Sequence, residues 1–130
     1  MQLNTTEVLK LRFGRRTENL NINHNNINDI SNVKFGDIQT INCNDNKLVT
    51  LKFTARHVVR MICCNNNITR IEKIDAPKMK VLDISNNPLD TFEDFDNKEK
   101  YPVLEILWIS TKQLPYIKFA GKINNVDEEE

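Results

Sequence analysis

The sequence predicts a solenoid, mostly β with an α/β-type path, built on a short parallel concave sheet with little or no helix on the convex side. Three observations predict it. Apolar residues recur at the same offsets with a period of 20–21 residues. Asparagine recurs with them in one fixed position. Each period also holds an apolar–polar–apolar triplet, the alternation of a half-buried strand.

The register is set by Asn25, Asn46, Asn66 and Asn87, spaced 21, 20 and 21 residues apart. Five positions before each stand Leu20, Ile41, Met61 and Leu82, and three before stand Ile22, Cys43, Cys63 and Ile84. Two positions after stand Ile27, Leu48, Ile68 and Leu89, and five after stand Ile30, Leu51, Ile71 and Phe92. A further unit fits with damage. Leu104, Leu107, Ile109, Leu114 and Ile117 fill its apolar columns, Lys112 stands in place of the asparagine, and about four extra residues lie in 96–102. Terminal units of stacked repeats are commonly atypical because they cap the stack.

The segments LNINHNNINDI, INCNDNKLVTL, MICCNNNITRI and LDISNNPLDTF resemble leucine-rich repeats of the short, intracellular type, across roughly residues 17–119. The resemblance implies a single right-handed solenoid over 1–130, with a cap strand in 1–16, about five repeats in 17–119 and a C-terminal cap and tail in 120–130. The preference for Ile over Leu, the cysteines in a core column and the missing last asparagine depart from the family pattern.

The elements follow in order. Val8–Phe13 alternates and reads as a strand, with Gly14-Arg15-Arg16-Thr17 as the turn of a hairpin-like cap over the first unit. The triplets at 20–22, 41–43, 82–84 and 107–109 read as one strand per unit. At each turn the asparagine amide, with donors and an acceptor, can hold backbone groups that the bend leaves unpaired, making a ladder of Asn25, Asn46, Asn66 and Asn87. Return paths through Ile30-Val33-Phe35, Leu51-Phe53, Ile71-Ile74 and Phe92-Phe95 close the core. About ten residues remain for each, enough for a turn of 3₁₀ helix or extended chain. Residues 116–123 should cover the last unit, and 127–130 form a charged tail.

Composition narrows function by exclusion. Eighteen Lys+Arg balance eighteen Asp+Glu, so no global field draws the chain to nucleic acid or anionic lipid. Three glycines argue against phosphate-cradling loops. The start carries no run of signal-peptide length, and no segment approaches the ~18 apolar residues of a membrane span. A cytoplasmic protein with reduced Cys43, Cys63 and Cys64 is therefore expected. Asn- and Ile-rich usage is what an AT-rich genome produces, as in small viral or protist proteins.

No enzyme is expected: no catalytic, metal or cofactor-binding residues are assigned, and no cofactor is implied. His24 and His57 lie one and a half units apart without a nucleophile beside either. Alternation turns Cys63 inward with Cys43 and Cys64 outward, which is no convergent zinc set. Lys10, Arg12, Arg15 and Arg16 form a small basic cluster with no interleaved aromatics for base stacking, so nucleic acid is a weak alternative.

The exposed columns of the concave sheet remain. Asn19, Asn21, Asn23, Thr40, Asn42 and Asn44 make its first half polar. Its second half gathers Arg60, Ile62, Val81, Asp83, Ile106 and Trp108. A tryptophan among aliphatics with an arginine is the composition of protein-recognition hot spots. The expected function is a non-catalytic protein-binding module, such as an adaptor, inhibitor or host-interaction factor, using this face. The alternative is a self-associating structural subunit or homodimer. Cover over Trp108 by 96–102 or by the C-terminal segment would exclude both uses of it.

Overall fold

The computed structural model describes residues 2–13 and 17–127. A parallel sheet runs along one side of the stack. Its strands are β1 (Asn19–Asn21), β2 (Thr40–Asn42), β4 (Arg60–Ile62), β6 (Val81–Asp83), β7 (Ile106–Ser110) and β8 (Lys122–Val126). Register is uniform: Leu20, Ile41, Met61, Leu82 and Leu107 are successive partners, all buried. About four regular turns stack in this way before the altered end.

Each unit ends its strand on a left-handed residue. His24, Asp45, Asn65 and Asn86 have φ of 59, 57, 55 and 54°. Asn, Asp and His tolerate this region better than other non-glycine residues, which is how a glycine-poor chain makes the same bend four times.

The convex side carries more order than expected. β3 (Thr50–Thr54) and β5 (Arg70–Asp75) pair in parallel as a second, two-stranded sheet. Leu51, Phe53, Ile71 and Ile74 point from it into the core. Threonine, lysine, arginine and glutamate alternate with them outward, so the pattern was that of a strand.

Both ends depart from expectation. The N-terminal cap is not a strand: Thr5–Val8 is a short helix, and 9–13 follow without strand pairing. Asn4 Oδ1 accepts from the Glu7 N–H at 2.9 Å and caps it. Local capping wins over a weak alternation, and Val8 is fully buried. The expected turn at 14–16 lies outside the described residues.

Leu3 imitates a repeat residue. Its N–H donates to Asn25 Oδ1 and its carbonyl accepts from the Asn26 N–H. Ile27 does the same with Asn46 and Lys47, and Leu48 with Asn66 and Asn67. The N-terminal segment is thus the trailing half of a unit laid on the first full one.

At the other end Phe92 and Leu114 leave the core columns. They are 38% and 40% exposed, and Phe92 stacks on Tyr116 with centroids 5.0 Å apart. Phe95 and Tyr101 take the interior, in ring contact at 5.2 Å. The Tyr101 hydroxyl donates to Glu93 and Lys100 Nζ donates to the Glu72 carbonyl of β5, so the inserted segment lies on the convex side. A 3₁₀ helix, Thr111–Tyr116, then leads to β8.

Candidate functional site

The asparagine column makes its hydrogen bonds in one repeated form. Asn46 Oδ1 accepts from the Ile27 N–H, Asn66 Oδ1 from Leu48, and Asn87 Oδ1 from Ile68, at 3.0–3.1 Å. Each Nδ2 contacts carbonyls of its own unit and one of the unit before: Ile22, Cys43 and Cys63 respectively. Asn25 serves Leu3 in the same manner. Asn46, Asn66 and Asn87 are buried and Asn25 half-buried.

The series ends on Gln113, not on Lys112 where spacing put it. Lys112 is exposed, while the buried Gln113 donates from Nε2 to the Asn87 carbonyl at 2.7 Å. Its Oε1 accepts from the Ser110 N–H at 3.3 Å. The helical turn at 111–116 shifts the inward position by one residue and asks for a longer amide.

A second row of side-chain bonds runs beside the first. Asn23 Oδ1 accepts from the Asn44 N–H and Asn44 Oδ1 from the Cys64 N–H, both at 2.7 Å. Ser85 Oγ contacts Cys64 Sγ, and Ser110 Oγ accepts from the Asn86 N–H at 2.7 Å. Asn23 and Asn44 are therefore half-buried linkers between units rather than solvent-facing groups. The sequence signal was a short polar residue recurring two before each ladder asparagine.

Two rows of strand residues face outward. One is Asn19, Thr40, Arg60, Val81, Ile106 and Lys122; the other is Asn21, Asn42, Ile62, Asp83, Trp108 and Asn124. Neighbours in each row sit one strand apart, ~4.8 Å. Arg60, Ile62, Val81, Asp83, Ile106 and Trp108 are thus contiguous over β4, β6 and β7. Arg60 is exposed and the other five are half-buried.

Asp83 stands between Ile62 and Trp108, and its Oδ1 accepts from both the N–H and the hydroxyl of Ser85. Those two bonds fix the carboxylate's rotamer. The insertion packs on the far side of the stack, and the C-terminal segment lies beside Trp108 as β8.

The remaining polar groups converge on no chemistry. Burial pushes the Cys43 and Cys64 thiols up to about 12, and burial followed by the neighbouring acidic groups raises Cys63. All three are free thiols held protonated. Cys64 faces outward in the sheet but is not a ready nucleophile. His24 meets Asp45 at 3.2 Å on the surface. His57 meets Asp37 at 3.4 Å beside an open convex cleft of about 450 Å³. Arg12 is engaged with the Leu9 and Leu11 carbonyls, and Arg15 and Arg16 lie outside the described residues. Among the described residues no group of three His, Cys, Asp or Glu could hold a metal ion, and no helix is long and apolar enough to cross a membrane.

Comparison with the curated proteins and with the solved structures gives no match. Residues 57–97 match the family described as leucine rich repeats (2 copies), a family that is generally non-enzymatic and whose fold is typical of protein-binding modules. The matched stretch holds β4, β5 and β6; the units on either side continue its register, and those before it continue its asparagine bonds. The chain folds as a mostly-β parallel-sheet solenoid of about four turns, consistent with the leucine-rich repeats that 57–97 match.

Proposed function

We propose that the chain is a non-catalytic protein-binding module that engages a protein partner through the second half of its concave sheet. Arg60, Ile62, Val81, Asp83, Ile106 and Trp108 form the contact surface. The observation that carries this reading is the contiguous row Ile62–Asp83–Trp108 on the outward face of the sheet, each residue half-buried. A large indole beside aliphatics offers apolar area at low entropic cost, while Asp83 and Arg60 set orientation. The strands beneath are held by bonded turns, so little ordering cost falls on binding. The polar first half, with Asn19, Asn21 and Asn42, stays solvated. An adaptor or an inhibitor fits this arrangement, because either role asks only for a rigid face.

The test is affinity capture from the native cell with wild type and a Trp108→Ala/Ile106→Ser variant of unchanged melting temperature. Loss of the captured protein from the variant alone is expected. Capture of the same proteins by both overturns the reading.

A further inference from the structure

Asp83 and Trp108 are register partners on adjacent strands, one strand spacing of ~4.8 Å apart. The Asp83 carboxylate is held by one oxygen only. Its Oδ1 accepts from the Ser85 N–H at 3.0 Å and from the Ser85 hydroxyl at 2.7 Å. Ser85 is buried, so this clamp belongs to the fold. Asp83 Oδ2 takes no hydrogen bond among the described residues and is not sealed from water. The Trp108 indole N–H is in the same condition. No lysine, arginine or histidine pairs with Asp83 among the described residues.

Two cations on the same face stand farther off. Arg60 lies one strand across and two residues along, ~8 Å from Asp83 at the backbone. Lys122 lies two strands across, at ~12 Å. Those separations match or exceed the ~8 Å screening length of physiological salt, whereas a group seated on Oδ2 feels the carboxylate at contact. A half-buried carboxylate supplies charge, and the ring face beside it supplies a negative quadrupole, so both attract a cation. A guanidinium suits the two together. It is planar, stacks on an aromatic face and keeps N–H groups at its edge for an acceptor. Ile62 and Ile106 border the pair and offer apolar surface to the methylene stem.

We propose that Asp83 and Trp108 form a subsite for an arginine side chain of the protein partner. The guanidinium stacks on the indole and donates one N–H to Asp83 Oδ2. This inference rests on the concave face being the docking surface, and it adds the chemistry that the face selects. Ser85 is a positioning residue: it touches no partner atom and holds the carboxylate in one rotamer. Arg60 acts from a distance and is no part of the subsite.

Trp108 is the one tryptophan of the chain, so its fluorescence reads the subsite directly. The test titrates the full chain with acetyl-Ala-Leu-Arg-Leu-Ala-amide and with the same peptide carrying citrulline in place of arginine. Citrulline keeps the shape and loses the charge. A saturable change in emission is expected from the arginine peptide, with an affinity about tenfold or more above that of the citrulline peptide. Asp83→Asn, at unchanged melting temperature, should bring the two peptides to one affinity. Ser85→Ala should weaken the arginine peptide several-fold and leave the citrulline peptide unmoved. Arg60→Gln should not weaken the arginine peptide. Equal affinities for wild type, or no change in emission up to millimolar arginine peptide, overturns the proposal. So does an arginine preference that survives Asp83→Asn. Affinity capture separates this inference from the partner reading. A partner lost with Trp108→Ala/Ile106→Ser but retained in full by Asp83→Asn removes the arginine subsite and leaves the partner reading standing.

Discussion

Asn65 and Asn66 are adjacent and hold the turn of one repeat in different ways. Asn66 is buried, with Oδ1 on the Leu48 N–H and Nδ2 on three carbonyls. Asn65 is exposed and supplies the left-handed bend at φ 55°. One contributes an amide, the other a backbone conformation.

The pair therefore separates by substitution. Asn66→Ala strands a buried N–H and several carbonyls at ~1–3 kcal/mol each, so a loss of about 3 kcal/mol or more is expected in urea unfolding. Asn65→Ala should cost only ~1–2 kcal/mol, the left-handed penalty of a Cβ, and Asn65→Gly should recover it. Equal costs for Asn66→Ala and Asn65→Ala would remove the ladder argument.

Gln113 allows the same question at the end of the ladder. Gln113→Met keeps volume but leaves the Asn87 carbonyl without its 2.7 Å donor, at ~1–3 kcal/mol. Lys112→Ala, at the exposed neighbour, should stay within ~0.5 kcal/mol. The reverse order in thermal unfolding would return the rung to Lys112.

Phe92 and Phe95 were both read as core. Phe95→Ala should cost ~3–5 kcal/mol as a cavity among buried side chains. Phe92→Ala should lose little beyond its stack on Tyr116, ~1 kcal/mol. Comparable midpoints for the two variants in urea would contradict the burial difference between them.

The thiols predict alkaline lability. In the unfolded chain a thiol loses its proton near 9, whereas Cys43 and Cys64 hold theirs to about 12. Unfolding therefore releases protons between those values. The stabilisation is complete below pH 9 and falls as pH rises toward 12. A Cys43→Val/Cys63→Val variant should show a flatter decline of melting temperature over that window than wild type. Parallel curves would mean that the two core thiols, Cys43 and Cys63, play no part.

The repeat itself was legible because period and column are properties of sequence. Leu20, Ile41, Met61 and Leu82 could be aligned without knowing any contact. The concave rows followed from strand alternation, which is why Ile62, Asp83 and Trp108 could be set side by side. What escaped was local geometry that breaks periodicity. The Asn4 cap winds Thr5–Val8 into a helix and 9–13 follow it without the strand pairing that their alternation suggested, and one turn of 3₁₀ helix moved the buried amide from Lys112 to Gln113. Leu3 was hidden for a different reason: half a unit is too short to register as a repeat. Asn23 and Asn44 were misread because alternation reports which face a side chain leaves from, not whether it bends back to a neighbouring backbone.

The direction of the ladder bears on synthesis at the ribosome. Every rung serves the unit before it: Asn46 reaches Ile27, Asn66 reaches Leu48 and Asn87 reaches Ile68. A nascent unit therefore emerges with its turn N–H unclaimed and waits for the next asparagine, some twenty residues on. At ~5–20 residues per second that interval is roughly 1–4 s per unit. The growing chain carries one unfinished turn at its leading end, completed each time the following repeat arrives.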